Sequence, residues 1–173
     1  MNSITQTIAK LYGWFTMLSS GARSPFLLLV RLYWGWQFMQ TGWGKLHNLA
    51  QVTQFFTNLG IPAPGPTAAF VGCVEFFGGV LLIAGLASRL TGLVLTGNML
   101  VAYLTADREA LLSFLSNPGK FYGADPYTFL FAAMLVLIFG PGWFALDTWL
   151  AHRFASESPI QDRTLRSVRS NAA

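Results

Sequence analysis

The chain has 173 residues and a net charge of +4, with 53% hydrophobic and only 10% charged residues. Soluble domains carry about 25% charged residues, so this chain has too few charges to cover a water-exposed surface. Composition points to an integral membrane protein, and the modest positive charge gives no reason to invoke nucleic acid.

In residues 1–22, Ile4, Ile8, Leu11, Phe15 and Leu18 recur at helical spacing. That pattern predicts an amphipathic helix lying on the membrane surface. Gly13, Thr16 and two serines interrupt the apolar run, so the segment does not read as a signal peptide. A first span is predicted from Pro25 to about Leu46, long enough for the roughly 20 apolar residues that a crossing helix needs. It contains the stretch LLLVRLYWGWQF, in which Arg31 interrupts the apolar run, and it ends in TGWGKLHN.

The next segment, HNLAQVTQFFTNLGIPAPGP, puts Leu49, Val52, Phe56 and Leu59 on one helical face. Asn48 is a candidate cap, and Gly60 and Pro62 are the stop. The second span is TAAFVGCVEFFGGVLLIAGLA, Thr67 to Ala87, and a tight turn through Ser88 and Arg89 leads to the third, Leu90 to Ala106. DREALLSFLSNPG then predicts another short amphipathic helix, with Asp107 as its cap and Pro118–Gly119 as its end. Floats on the surface and a lid over a cavity are both open readings of the two short helices. The fourth span is PYTFLFAAMLVLIFG, Pro126 to Gly140, and a basic tail occupies residues 151–173.

The fold expected is thus all-α: an integral membrane four-helix bundle with short amphipathic interfacial helices. Its parts are residues 1–22 (interfacial helix), 23–150 (four-span domain) and 151–173 (tail). Four spans place both termini on one side, with Lys10, Arg23, Arg89, Arg153, Arg163, Arg166 and Arg169. Only Lys45, Arg108 and Lys120 lie on the other, so the bias predicts cytoplasmic termini. The tail reads as a solvated segment or as one facing anionic lipid.

Ionisable groups inside spans are rare and usually face the bundle interior. Arg31 shares a helical stripe with Gly35, Phe38, Gly42 and Lys45, and Glu75 shares one with Ala68, Gly72 and Gly79. Small residues let another backbone approach, so both charges sit on contact faces. Counting ~1.5 Å per residue puts Arg31 ~9 Å above Pro25 and Glu75 ~18 Å above Ala87. The reading is a buried cluster of Arg31, Glu75 and Asn98. It either fixes helix register as an ion pair or handles a proton or polar ligand. At the outer end, Trp43, Lys45 and His47 are candidates for a ligand rim or for simple snorkelling at the boundary. The single cysteine, Cys73, excludes an intramolecular disulfide, and no Cys/His cluster suits zinc or iron–sulfur. His47 and His152 fall on opposite sides of the membrane, so they cannot form a bis-His haem site within one chain. No metal and no covalent cofactor is expected, and any redox role needs an electron carrier from elsewhere, such as a membrane quinone or a partner subunit.

The arginine of the first span followed by TGWGKL, the LGIP that ends the linker, and CVEFFGGVLLIAGLASRLTGLVL together resemble the DoxX family of small bacterial membrane proteins. The most specific part is E-x-x-G-G-x-L-L-x-x-G-L-x-x-R, from Glu75 to Arg89. The resemblance spans roughly residues 25–140 and implies a four-helix membrane bundle of the bacterial inner membrane. It also implies recurrent charged positions at Arg31, Lys45, Glu75 and Arg89. Members linked to thiosulfate–quinone oxidoreduction or to oxidative-stress complexes imply a quinone-linked role, without catalysis by this chain alone. Three readings stay open: a membrane subunit of an oxidoreductase, a scaffold docking soluble redox subunits or forming a homo-oligomer, and a small-molecule carrier.

Overall fold

A computed structural model describes residues 3–155. The tail expectation for residues 151–173 falls mostly outside the described residues. The described residues form eight helices and no strand: α1 (Ser3–His47), α2 (Leu49–Asn58), α3 (Pro64–Ala84), α4 (Ser88–Thr105), α5 (Arg108–Leu112), α6 (Pro118–Tyr122), α7 (Pro126–Phe139) and α8 (Leu146–Ala155). Four of them build the bundle, with α1 on α3, α3 on α4, α4 on α7, and α7 closing lightly back on α1. Phe38, Leu82, Leu95, Met99, Tyr103 and Val136 form its core. Outward, α3, α4 and α7 present Phe70, Phe77, Leu93, Val101, Phe131 and Ile138, all more than half exposed. A soluble bundle would carry charge at such positions, and an apolar girdle of this extent is a membrane-facing surface. By length and composition, Pro64–Ala84 is the one described helix apolar and long enough to cross a membrane unaided, while Pro126–Phe139 is apolar but shorter. The molecule is an all-α membrane protein.

Glycines set the closest contact. Gly42 lies against the backbone of Gly72 and Phe76, and Gly35 against Gly79 and Ile83, so α1 and α3 run antiparallel with their backbones nearly touching. The α3–α4 turn carries positive φ at Gly85 (68°) and Ala87 (47°). For alanine that conformation costs about 1–2 kcal/mol. Asp147 offsets it by accepting hydrogen bonds from the Ala87 and Ser88 N–H groups at 2.6 and 2.7 Å.

Three local expectations differ from the structure. Residues 3–22 form no separate surface helix; they continue into the first span as one 45-residue helix with Pro25 inside it. Ser20-Gly21 and Ser24-Pro25 are turn signals in the sequence, yet the helix runs through both. The segment after Asp107 is two short helices, because Pro118 opens α6 at its first turn, where proline is tolerated, instead of ending α5. Neither Asn48 nor Asp107 caps through its side chain; Asn48 donates back to the Gly44 carbonyl at 3.0 Å.

Candidate functional site

Glu75 is 2% exposed in the middle of α3. Its Oε2 is ion-paired with Lys45 Nζ, and its Oε1 accepts a hydrogen bond from Asn98 Nδ2 at 3.1 Å. Both carboxylate oxygens are thus engaged by residues from α1 and α4. A buried charge is tolerated only when paired and hydrogen-bonded, and this triad meets both conditions.

The triad forms part of the wall of a cavity of about 930 Å³. Gln37, Thr41 and Lys45 come from one face of α1, and Asn98, Ala102 and Thr105 from one face of α4. The α2 helix and its turn contribute Phe55, Phe56, Leu59 and Ile61, and the α6–α7 segment contributes Tyr122, Asp125 and Phe129. The short helices therefore cover a cavity between the long ones, which favours the lid reading over surface floats. Gln37 forms no hydrogen bond with another described residue through its amide, leaving its donors and acceptor for the cavity. Asp107 and Asp125 also line it, at the end covered by the short helices. Burial, and secondarily the charge of Asp125, pushes the Asp107 carboxyl above its ordinary range. Outside the cavity, a hydrogen bond from Lys120 and then its charge hold the Glu109 carboxyl below the usual range.

Arg31 is not part of this cluster. Its guanidinium donates to the carbonyls of Leu82 (2.9 Å), Ile83 (3.2 Å), Pro141 and Phe144 (3.1 Å). It thereby supplements the partners of carbonyls in the last turn of α3, where the helix's own ladder runs out, and ties α1 to the loop after α7. The expected pairing with Glu75 fails because of register. With Gly42 opposite Gly72 and Phe76, Glu75 is level with about residue 41, ~6 Å along the axis from Lys45 and ~15 Å from Arg31. Anchoring both spans at their apparent ends misplaced α1 by about one helical turn. Asn98 and Glu75 are brought together as expected, and Lys45 takes the place assigned to Arg31.

The rim group is split as well. Lys45 lines the cavity, whereas Trp43 and His47 are exposed and pack against each other at a tilt, with ring centroids 3.9 Å apart. Arg89 is exposed at the opposite end of the bundle, beside Gly140. Sequence reasoning missed Gln37, Asp107 and Asp125 as cavity residues, and Asp147 and Arg23 as fasteners. Arg23 donates to the Phe139 carbonyl at the end of α7, at 2.6 Å. The available signal for Gln37 was its place one turn from Thr41 and two from Lys45 on the same helix face. Among the described residues, no group of His, Cys, Asp and Glu is arranged to hold a metal ion.

The DoxX family model matches residues 26–108, which include Arg31, Lys45, Glu75, Arg89 and Asn98. A protein of Bacillus subtilis (strain 168) named "Putative oxidoreductase CatD" is 28% identical over 123 residues, covering 71% of this chain and 85% of that protein. A protein of Escherichia coli (strain K12) named "Inner membrane protein YqjF" is 29% identical over 129 residues, covering 72% of this chain and 91% of that protein. No solved structure matches the chain. The matched span, the Glu75-to-Arg89 pattern within it and the all-α membrane bundle agree: residues 26–108 match the DoxX family, and the chain is similar to that family along them.

Proposed function

We propose that this protein is the membrane subunit of a quinone-linked oxidoreductase system, supplying the quinone pocket while a partner supplies the electrons. The observation that carries the reading is the cavity whose wall includes the Lys45–Glu75–Asn98 triad. Its volume lies within the ~300–1,000 Å³ usual for small-molecule sites. The residues fit such a ring: Trp34, Phe55, Phe56 and Phe129 offer apolar and aromatic walls, and Gln37 and Lys45 offer donors to carbonyl oxygens. Reduction of a quinone to a quinol takes up two electrons and two protons. Lys45 and Glu75 are the ionisable pair at the triad through which this chain would manage protons. The oxidoreductase name of the Bacillus relative supports this class of role, and the inner-membrane name of the Escherichia relative supports the location. In this reading α1, α3, α4 and α7 cross the bacterial inner membrane, both termini are cytoplasmic, and the lidded end of the cavity faces outward. The excess of Lys and Arg at the opposite end supports that orientation.

The test is extraction of the protein from native membranes, followed by organic extraction and measurement of bound quinone. Quinone should copurify in near-equal amount and fall about tenfold in Glu75→Gln, a loss of ~1.4 kcal/mol in binding. Quinone at the level carried by an unrelated membrane protein of similar size would overturn the reading.

A further inference from the structure

The charge of the cavity points to a second class of ligand, independent of whether a quinone enters. Four charged side chains line it: Lys45, Glu75, Asp107 and Asp125. Lys45 and Glu75 neutralise each other. Neither Asp107 nor Asp125 forms an ion pair with a described residue; of the cations at the lidded end, Lys120 is paired with Glu109 outside the cavity, and Arg108, at the start of α5, does not line it. The cavity therefore carries two uncompensated carboxylates at its lidded end. Its walls add the aromatic rings of Trp34, Phe55, Phe56, Tyr122 and Phe129, and an aromatic ring that turns its face to a cation attracts it by its quadrupole, more strongly where water is displaced.

We propose that the cavity binds lipophilic organic cations, a quaternary ammonium or phosphonium centre within an apolar shell, and rejects anions of the same size. The apolar shell packs on the aromatic walls while the charge lies near Asp107 and Asp125. An anion of equal size meets the same walls and the opposite electrostatics. A neutral ring is nearly indifferent to the two carboxylates, so the proposal and the quinone reading are compatible but separate. Burial and Asp125 push the Asp107 carboxyl up, so a bound cation also relieves the repulsion between the two acids.

Tetraphenylphosphonium and tetraphenylborate have nearly the same shape and apolar surface and opposite charge. Saturable binding of each to the purified full chain, corrected for detergent-only partitioning, is measured by equilibrium dialysis. Quenching of Trp34, identified by its loss in Trp34→Phe, locates the bound probe. The phosphonium should bind at least about tenfold more tightly than the borate, the scale expected of two carboxylates at partly screened distances. The double variant Asp107→Asn/Asp125→Asn should remove most of that preference, while Glu109→Gln, an exposed acid outside the cavity, should leave it unchanged. Equal binding of the two probes, absence of saturable phosphonium binding, or an equal loss of preference in Glu109→Gln would each overturn the proposal. A chain that copurifies with quinone but shows no charge preference sinks this proposal alone. One that binds the phosphonium and carries no quinone sinks the quinone reading alone.

Discussion

Arg31 and Lys45 lie about four turns apart on α1, and their different partners decide their roles. Arg31 was the conspicuous charge in the sequence, yet it serves backbone carbonyls at the end of α3 and after α7. Lys45 looked like a boundary residue, yet it neutralises the buried carboxylate of the bundle. Double-mutant cycles separate the two cases. Lys45→Met leaves Glu75 without its cation and should cost about 3–5 kcal/mol, the usual penalty of breaking a buried pair. Adding Glu75→Leu should recover much of that loss, whereas Arg31→Leu and Glu75→Leu should add within about 0.5 kcal/mol. Unfolding in detergent followed by circular dichroism measures both cycles, and strong Arg31–Glu75 coupling would contradict the register described above. Asp107 yields a pH prediction of definite sign. Its carboxyl is raised in the folded protein, so between the unfolded and folded titration ranges the native state holds more protons than the unfolded one. Stability then falls as pH rises through that window. Asp107→Asn should remove that decline and raise the melting temperature at neutral pH, with little change below the carboxylate range.

Among elements, the legible ones were those whose signal is local. The apolar runs of α3, α4 and α7, the glycine stripes and the amphipathic pattern of α2 each follow from residues close in sequence, and the structure places helices there. What could not be read depends on register between distant helices. Asp107 resembles a helix cap, and only the packing of α4, α6 and α7 makes it a cavity residue. Pro118 is ambiguous because proline both ends helices and begins them. Pro25 did not mark a boundary: the helix continues through it despite the Ser20-Gly21 and Ser24-Pro25 turn signals. The α1–α3 contact is the element on which the register rests, and it is testable through its glycines. A methyl group at Gly42 would meet the backbone of Phe76 and Gly72, while one at Gly97 has no neighbour within 4 Å. Gly42→Ala should therefore destabilise by about 1–3 kcal/mol, as overpacking does. It should also weaken the Lys45–Glu75 coupling, because both partners ride on the two helices being forced apart. Gly97→Ala should be neutral or slightly stabilising, since alanine is the better helix former by about 1 kcal/mol.

The whole molecule has two unlike ends, and that asymmetry argues for an orientation. One end holds α2, α5, α6 and the lidded cavity. The other is a plate of fasteners in which Arg23, Arg31 and Asp147 bind the ends of α7, α3 and α4 to their neighbours. Helix lengths do not settle the crossing by themselves. The 14 residues of α7 span only ~21 Å, short of a ~30 Å hydrocarbon core, and the 45 residues of α1 reach ~68 Å. The short helix can cross only if its apolar flank, with the exposed Trp143 and Phe144, and the lid helices at the opposite end complete the apolar depth. Single cysteines in a Cys73→Ser background test this. Gln54→Cys on α2 and Ser116→Cys between α5 and α6 should react with a membrane-impermeant maleimide in intact cells. His152→Cys on α8 should react only after the inner membrane is permeabilised. Reaction of all three in intact cells would mean that the bundle does not separate two compartments. The inverse pattern would place the acidic cavity mouth in the cytoplasm, where cytoplasmic amphiphilic cations rather than external ones would reach it first.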